Sequence, residues 1–132
     1  MNKWIYIAAA ITFFSCNKRD ECDPSLLCET IEPDSYFVYV DVNDDSRYYP
    51  VYLTLYKNDV EDNDVVLNDT LYAPRYSYFL PTQQRYSAKA VYNVNGVTYQ
   101  AFDGGKLKVK DFWNCDQQCY EAQSLTLDLV LK

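Results

Sequence analysis

Five cysteines carry most of the chemistry this chain has to offer: Cys16, Cys22, Cys28, Cys115 and Cys119. Thiols at such spacings can close disulfides, hold zinc or run thiol–disulfide exchange. Cys16 stands apart because it ends an apolar run, Trp4 to Phe14. That run has the length of a signal-peptide core and falls short of the roughly 18 residues a spanning helix needs. It is expected to be removed on export, which leaves the other four cysteines in an oxidising compartment, where an even number reads as two disulfides. A zinc site is the competing use, but neither Cys22/Cys28 nor Cys115/Cys119 has the two-residue spacing of a zinc ribbon. Cys115-Asp116-Gln117-Gln118-Cys119 is one residue longer than the usual redox dithiol, so a thiol oxidoreductase is a third-ranked function. Four cysteines allow three connectivities, and their spacing does not choose among them.

Other chemistry is scarce. The chain has no histidine, which removes the commonest general base, the commonest zinc ligand and every Ser-His or Cys-His nucleophile pair. The chain is therefore read as not an enzyme, and with no required cofactor. Two acidic clusters, Asp41 with Asn43, Asp44 and Asp45, and Asn58 to Asp64, offer oxygen ligands for calcium. They lack the glycine of an EF-hand turn, and Asp and Asn also favour turns through their own backbone hydrogen bonds. Fourteen tyrosines are many for 132 residues. On the alternation of its strand, Tyr52, Thr54 and Tyr56 are expected to face outward as an aromatic strip able to stack on sugar rings or seat a protein. Phe112-Trp113 is expected to pack around the disulfide of Cys115.

The elements that position these residues are strands. Removing residues 1–15 leaves 117, enough for one domain, with 11 basic against 19 acidic residues and a formal net charge of −8. That balance supplies no basic face for nucleic acid. From Ser35 onward apolar and polar residues alternate, with no sustained helical period. Tyr36, Val38, Val40 and Val42 share one face, as do Tyr49, Val51, Leu53 and Leu55. Val65 to Tyr72 forms a third strand, and Tyr76, Tyr78 and Leu80 a fourth that Pro81 ends. Tyr86, Ala88, Ala90, Tyr92 and Val94 turn through Asn95-Gly96 into Val97, Tyr99 and Ala101. Leu107 and Val109 make a short strand, and Leu125, Leu127, Leu129 and Leu131 the last. About seven such strands predict a single antiparallel β-sandwich over 35–132, after a signal at 1–15 and a tether at 16–34.

Phe13-Phe14-Ser15-Cys16 resembles the lipobox of bacterial lipoproteins of the Bacteroidota type, which implies that Cys16 is acylated, with palmitate among its chains, and becomes the first mature residue. More than one acyl chain gives stable anchoring without a spanning helix. Lys18-Arg19-Asp20-Glu21 is similar to the charged export signal of those lipoproteins, implying an outer-membrane location facing the cell surface, with the periplasmic face as the alternative. Asp69-Thr70-Leu71 resembles their O-glycan acceptor motif, with Thr70 as the acceptor. The stretch from Val51-Tyr52-Leu53-Thr54-Leu55-Tyr56 through Tyr78-Phe79-Leu80-Pro81 to Tyr86-Ser87-Ala88-Lys89-Ala90 resembles transthyretin-like, or prealbumin-like, sandwiches. An immunoglobulin-like sandwich shares the same alternation. The transthyretin-like resemblance implies that the first strand and the late core strand run parallel as neighbours, so that Cys28 meets Cys119 and Cys22 meets Cys115. Each bridge would then close about 90 residues and contribute about 4 kcal/mol.

These readings imply a lipid-anchored envelope protein, without catalysis, that binds an envelope protein or glycan or serves as a structural accessory. The alternative is a pilus or adhesion subunit that assembles by strand exchange.

Overall fold

A computed structural model describes residues 22–132. The signal at 1–15, the lipid site at Cys16 and the charged residues 18–21 lie outside the described residues. The described residues are all-β, with eight strands in two packed sheets, as alternation from Ser35 onward requires. One sheet has three strands in the order β4 (Arg75–Pro81), β1 (Ser35–Asp41) and β8 (Leu125–Asp128). The other has five, in the order β3 (Val65–Leu71), β2 (Val51–Lys57), β5 (Gln84–Val94), β6 (Val97–Asn114) and β7 (Gln117–Gln123). β1 runs antiparallel to β4 and parallel to β8.

The interior collects the apolar member of each alternating pair. Val38, Val40 and Val42, with Leu80, Leu127 and Leu129, face Val51, Leu53, Leu55, Leu71, Tyr86, Ala88, Ala90, Tyr92 and Leu107. The chain's own last strand thus fills the place beside β1 that strand exchange would leave open to a partner.

Two expectations are corrected. Leu107 and Val109 do not form a separate strand, because β6 runs unbroken for 18 residues through Gly104-Gly105. These glycines serve close approach rather than a turn: a Cβ on Gly105 would lie 2.6 Å from Leu125 Cδ1, where the chain crosses to the other sheet. β7 was not anticipated at all. Only Cys119 of its seven residues is buried, so it shows no apolar stripe. β6 pairs with β5 as far as Leu107, and Lys108–Asn114 then pairs with β7, making a two-stranded ribbon beyond the first residue of β5. Its hairpin turn is Cys115-Asp116, both at positive φ (51° and 63°), as at the Asn95-Gly96 turn (51° and 76°). That backbone suits Asn-Gly and is tolerated by Asp116, but is costly for Cys115.

Three tyrosines join the two sheets, Tyr86 and Tyr92 buried and Tyr78 half-buried. The Tyr92 hydroxyl donates to the Leu129 carbonyl at 2.6 Å, that of Tyr86 to the Pro81 carbonyl at 2.7 Å, and that of Tyr78 to Asp69 Oδ2 at 2.7 Å. Tyr92 also accepts from the Asn43 amide at 3.3 Å. Burial raises all three phenols above their usual range, and for Tyr78 the hydrogen bond to Asp69 and the charge of that carboxylate raise it further.

The sign of the pH effect follows. A phenol raised in the folded state keeps its proton after the unfolded chain has begun to lose its own near pH 10, so this stability is complete below about pH 10 and declines above it. In an ultraviolet titration Tyr78, Tyr86 and Tyr92 are expected to ionise only together with loss of the far-ultraviolet circular dichroism. Ionisation of every tyrosine ahead of unfolding would contradict these bonds.

Candidate binding surfaces

The segment before β1 is fastened to the ribbon. Cys22 is bonded to Cys115, with Cα atoms 4.7 Å apart, and Cys28 to Cys119 at 5.2 Å. Asp23 and Asn114 exchange two hydrogen bonds, from the Asp23 amide to Asn114 Oδ1 and from Asn114 Nδ2 to the Asp23 carbonyl, both at 3.1 Å. The Tyr120 amide donates to the Glu29 carbonyl at 2.8 Å. At the other end, Thr82 donates through its hydroxyl to the Pro33 carbonyl at 2.6 Å and through its amide to that of Asp34 at 2.8 Å. Between these fixings, Asp23 takes the hydroxyl and amide of Ser25, which hold its carboxyl below the usual range. A groove of about 740 Å³ separates segment and ribbon, lined by Leu26, Ile31, Tyr36, Phe112 and Tyr120 and by acids including Glu29 and Glu121. Among the described residues no basic side chain lines it.

A second surface covers the outside of the three-stranded sheet. Register places Phe37 opposite Phe79, Tyr39 opposite Ser77 and Asp41 opposite Arg75. The Phe37 ring meets Phe79 edge-on at 5.2 Å and stacks with Tyr39 at 6.1 Å. The Arg75 guanidinium lies 5.3 Å from the centre of the Tyr39 ring and grips Asp41 through two hydrogen bonds, at 2.6 and 2.8 Å. Asp41 accordingly raises Arg75 further. The result is a strip, aromatic at one end and ion-paired at the other, with Phe79 63% exposed. Sequence reasoning missed it, although these are the outward partners of the same alternation that marks the core.

The expected strip on β2 does not form. Tyr52 is 47% exposed, Thr54 is half-buried and donates to Asn68 Oδ1 at 2.9 Å, and Tyr56 is only 5% exposed. A register shift against β3 falls between Leu55 and Tyr56, and a short 3-10 turn, Val60–Asp62, packs on β2 and β5. Thr70 lies half-buried in β3 opposite Tyr52.

Trp113 also departs from expectation: it is 66% exposed rather than packed at the disulfide. Cys115 and Cys119 form no dithiol with each other, since each is bonded to a cysteine of the N-terminal segment, which removes the basis for thiol exchange between them. The acidic clusters are engaged locally. Asp41 pairs with Arg75, Asp45 with Arg47 and Asp59 with Arg85, while Asp62 accepts from the Asp59 amide. Among the described residues no three acidic or cysteine side chains converge on a point where calcium would sit.

No family model, curated protein or solved structure matches this chain.

The two bridges overlap in sequence, 22 to 115 and 28 to 119, so their contributions are not additive. Either bridge alone closes about 90 residues and removes about 4.5 kcal/mol of unfolded-chain entropy, but the second then closes a ring of only about ten residues, about 3 kcal/mol. Replacing either pair by alanine, Cys22 with Cys115 or Cys28 with Cys119, is therefore expected to lower the unfolding free energy by about 3 kcal/mol, and replacing all four by about 7 kcal/mol. Denaturant titration measures this, and a loss of about 4.5 kcal/mol from each pair, adding to about 9 when all four are replaced, would contradict the overlapping arrangement.

Proposed function

We propose that this chain is a non-catalytic binding or structural accessory, held at the outer membrane by a lipid on Cys16 and facing the cell surface, and that its partner is an envelope protein or glycan. The observation that supports this most is the strip of exposed Phe37 and Phe79 with half-buried Tyr39, ending in the Arg75–Asp41 pair. Aromatic side chains held side by side on a rigid sheet supply apolar area at low entropic cost, and a fixed ion pair beside them supplies orientation. Interior packing does not require these rings, because the core is already closed by Val38, Val40 and Leu80 on the other face. The parallel pairing of β1 with β8 and the observed cysteine connectivity support a transthyretin-like reading of the sandwich. Leu127 and Leu129, seated in the chain's own core, weigh against assembly by strand exchange.

Photo-crosslinking in intact cells tests the assignment. A crosslinker at Phe79 is expected to capture a defined neighbour and one at Tyr52, on the opposite sheet, to capture none. Phe79→Ala is expected to abolish capture by a crosslinker at Phe37 while changing stability by less than about 1 kcal/mol, since the ring is mostly exposed. Capture from Tyr52 alone, or unchanged capture after Phe79→Ala, would overturn it.

A further inference from the structure

The N-terminal segment enters the domain at one place. Six peptide links separate Cys16 from Cys22, and a chain of that length spans at most about 20 Å. Cys22 is bonded to Cys115 in the turn of the β6–β7 hairpin. An acyl group on Cys16 therefore keeps the tip of the ribbon, where the segment enters, within about 20 Å of the headgroups. This step rests on the lipid anchor proposed above.

The tip carries exposed apolar groups on both of its sides. Alternation along β6 puts Phe112 and Asn114 on the side to which the N-terminal segment is fixed and Trp113 on the other. On the first side Leu26 and Leu27 are uncovered, Leu27 being 94% exposed, and on the second stands Trp113. Neither leucine belongs to the core cluster, and the fold does not use them. Tryptophan concentrates where an apolar body meets water at a bilayer surface, and leucines beside it bury readily among the upper acyl chains. Asp23, Asp111 and Asp116 surround the tip, so attraction to anionic lipid is not what would bring it there.

We infer that the ribbon tip is a membrane-contact surface: Trp113, Leu26 and Leu27 enter the interfacial layer of the bilayer that holds the lipid anchor, and so stand the domain upright on its ribbon. The occupant is a phospholipid surface without a requirement for negative charge.

The chain reports on this directly. Of its two tryptophans, Trp4 belongs to the expected signal peptide, leaving Trp113 alone in the mature protein. The acylated full-length protein, purified from a host that processes lipoproteins, is reconstituted into phosphatidylcholine vesicles with and without brominated acyl chains. Trp113 emission is expected to shift to the blue and to fall about twofold in the brominated vesicles. A Trp113→Phe, Phe102→Trp protein, whose probe sits about 35 Å away along β6, is expected to show neither change. Protein that floats with the vesicles while Trp113 keeps a water-exposed, unquenched spectrum overturns the contact and leaves the anchor standing. Protein that carries no acyl chain and does not float removes the anchor, and this inference with it.

Discussion

The interior is held in register by phenol hydroxyls that reach across it. Tyr78, Tyr86 and Tyr92 each bring a large apolar ring into the core and one donor that has to be satisfied there, and each finds its acceptor on the facing sheet or the segment leading from it. A buried hydroxyl without a partner costs about 1–3 kcal/mol, so sliding one sheet over the other would be penalised at three points together. β5 shows how the sequence accommodates this: its inward stripe reads Tyr86, Ala88, Ala90, Tyr92. The large residues sit at the ends, and the alanines leave the middle to valines and leucines from the other layer. Apolar packing alone would tolerate several offsets between two such stripes, whereas the hydroxyls accept one.

Around that core the chain builds a second, smaller unit with little hydrophobic content of its own. The β6–β7 ribbon and the 22–34 segment have half-buried contacts, a handful of backbone bonds and two disulfides. Two strands beyond the edge of a sandwich are marginal in water. Here covalent bonds replace the missing core, and they also pin a hairpin turn whose first residue, Cys115, is poorly suited to positive φ. The Asn114–Asp23 exchange of hydrogen bonds adds a third fixing at the same point.

Much of the sandwich was legible because one face of each strand is buried, and burial imposes a period of two on residue choice. Val38-Val40-Val42, Val51-Leu53-Leu55 and Leu125-Leu127-Leu129 announced their inward faces, and Asn95-Gly96 its hairpin. Legibility failed where burial does not govern. β7 has one buried residue, Gly104-Gly105 reads as a break until Leu125 is seen to lie against it, and a Cys-Asp turn carries no signal of its own. The outward faces were half legible: alternation says which residues point out but not which are then covered. Tyr56 lies under a neighbouring loop and Trp113 stands clear, contrary to what their local pattern suggested.

The course of β6 has a mechanical meaning. It is the longest strand, beginning at the Asn95-Gly96 turn and ending at Asn114, beside the cysteine that joins the N-terminal segment. Tension arriving through that segment would enter along the strand axis, where the ladder with β5 is loaded in shear and its bonds share the force, instead of being unzipped one at a time from an edge. Pulled between that segment and the far end of β6, the domain would be loaded in the direction in which its sheet is hardest to tear.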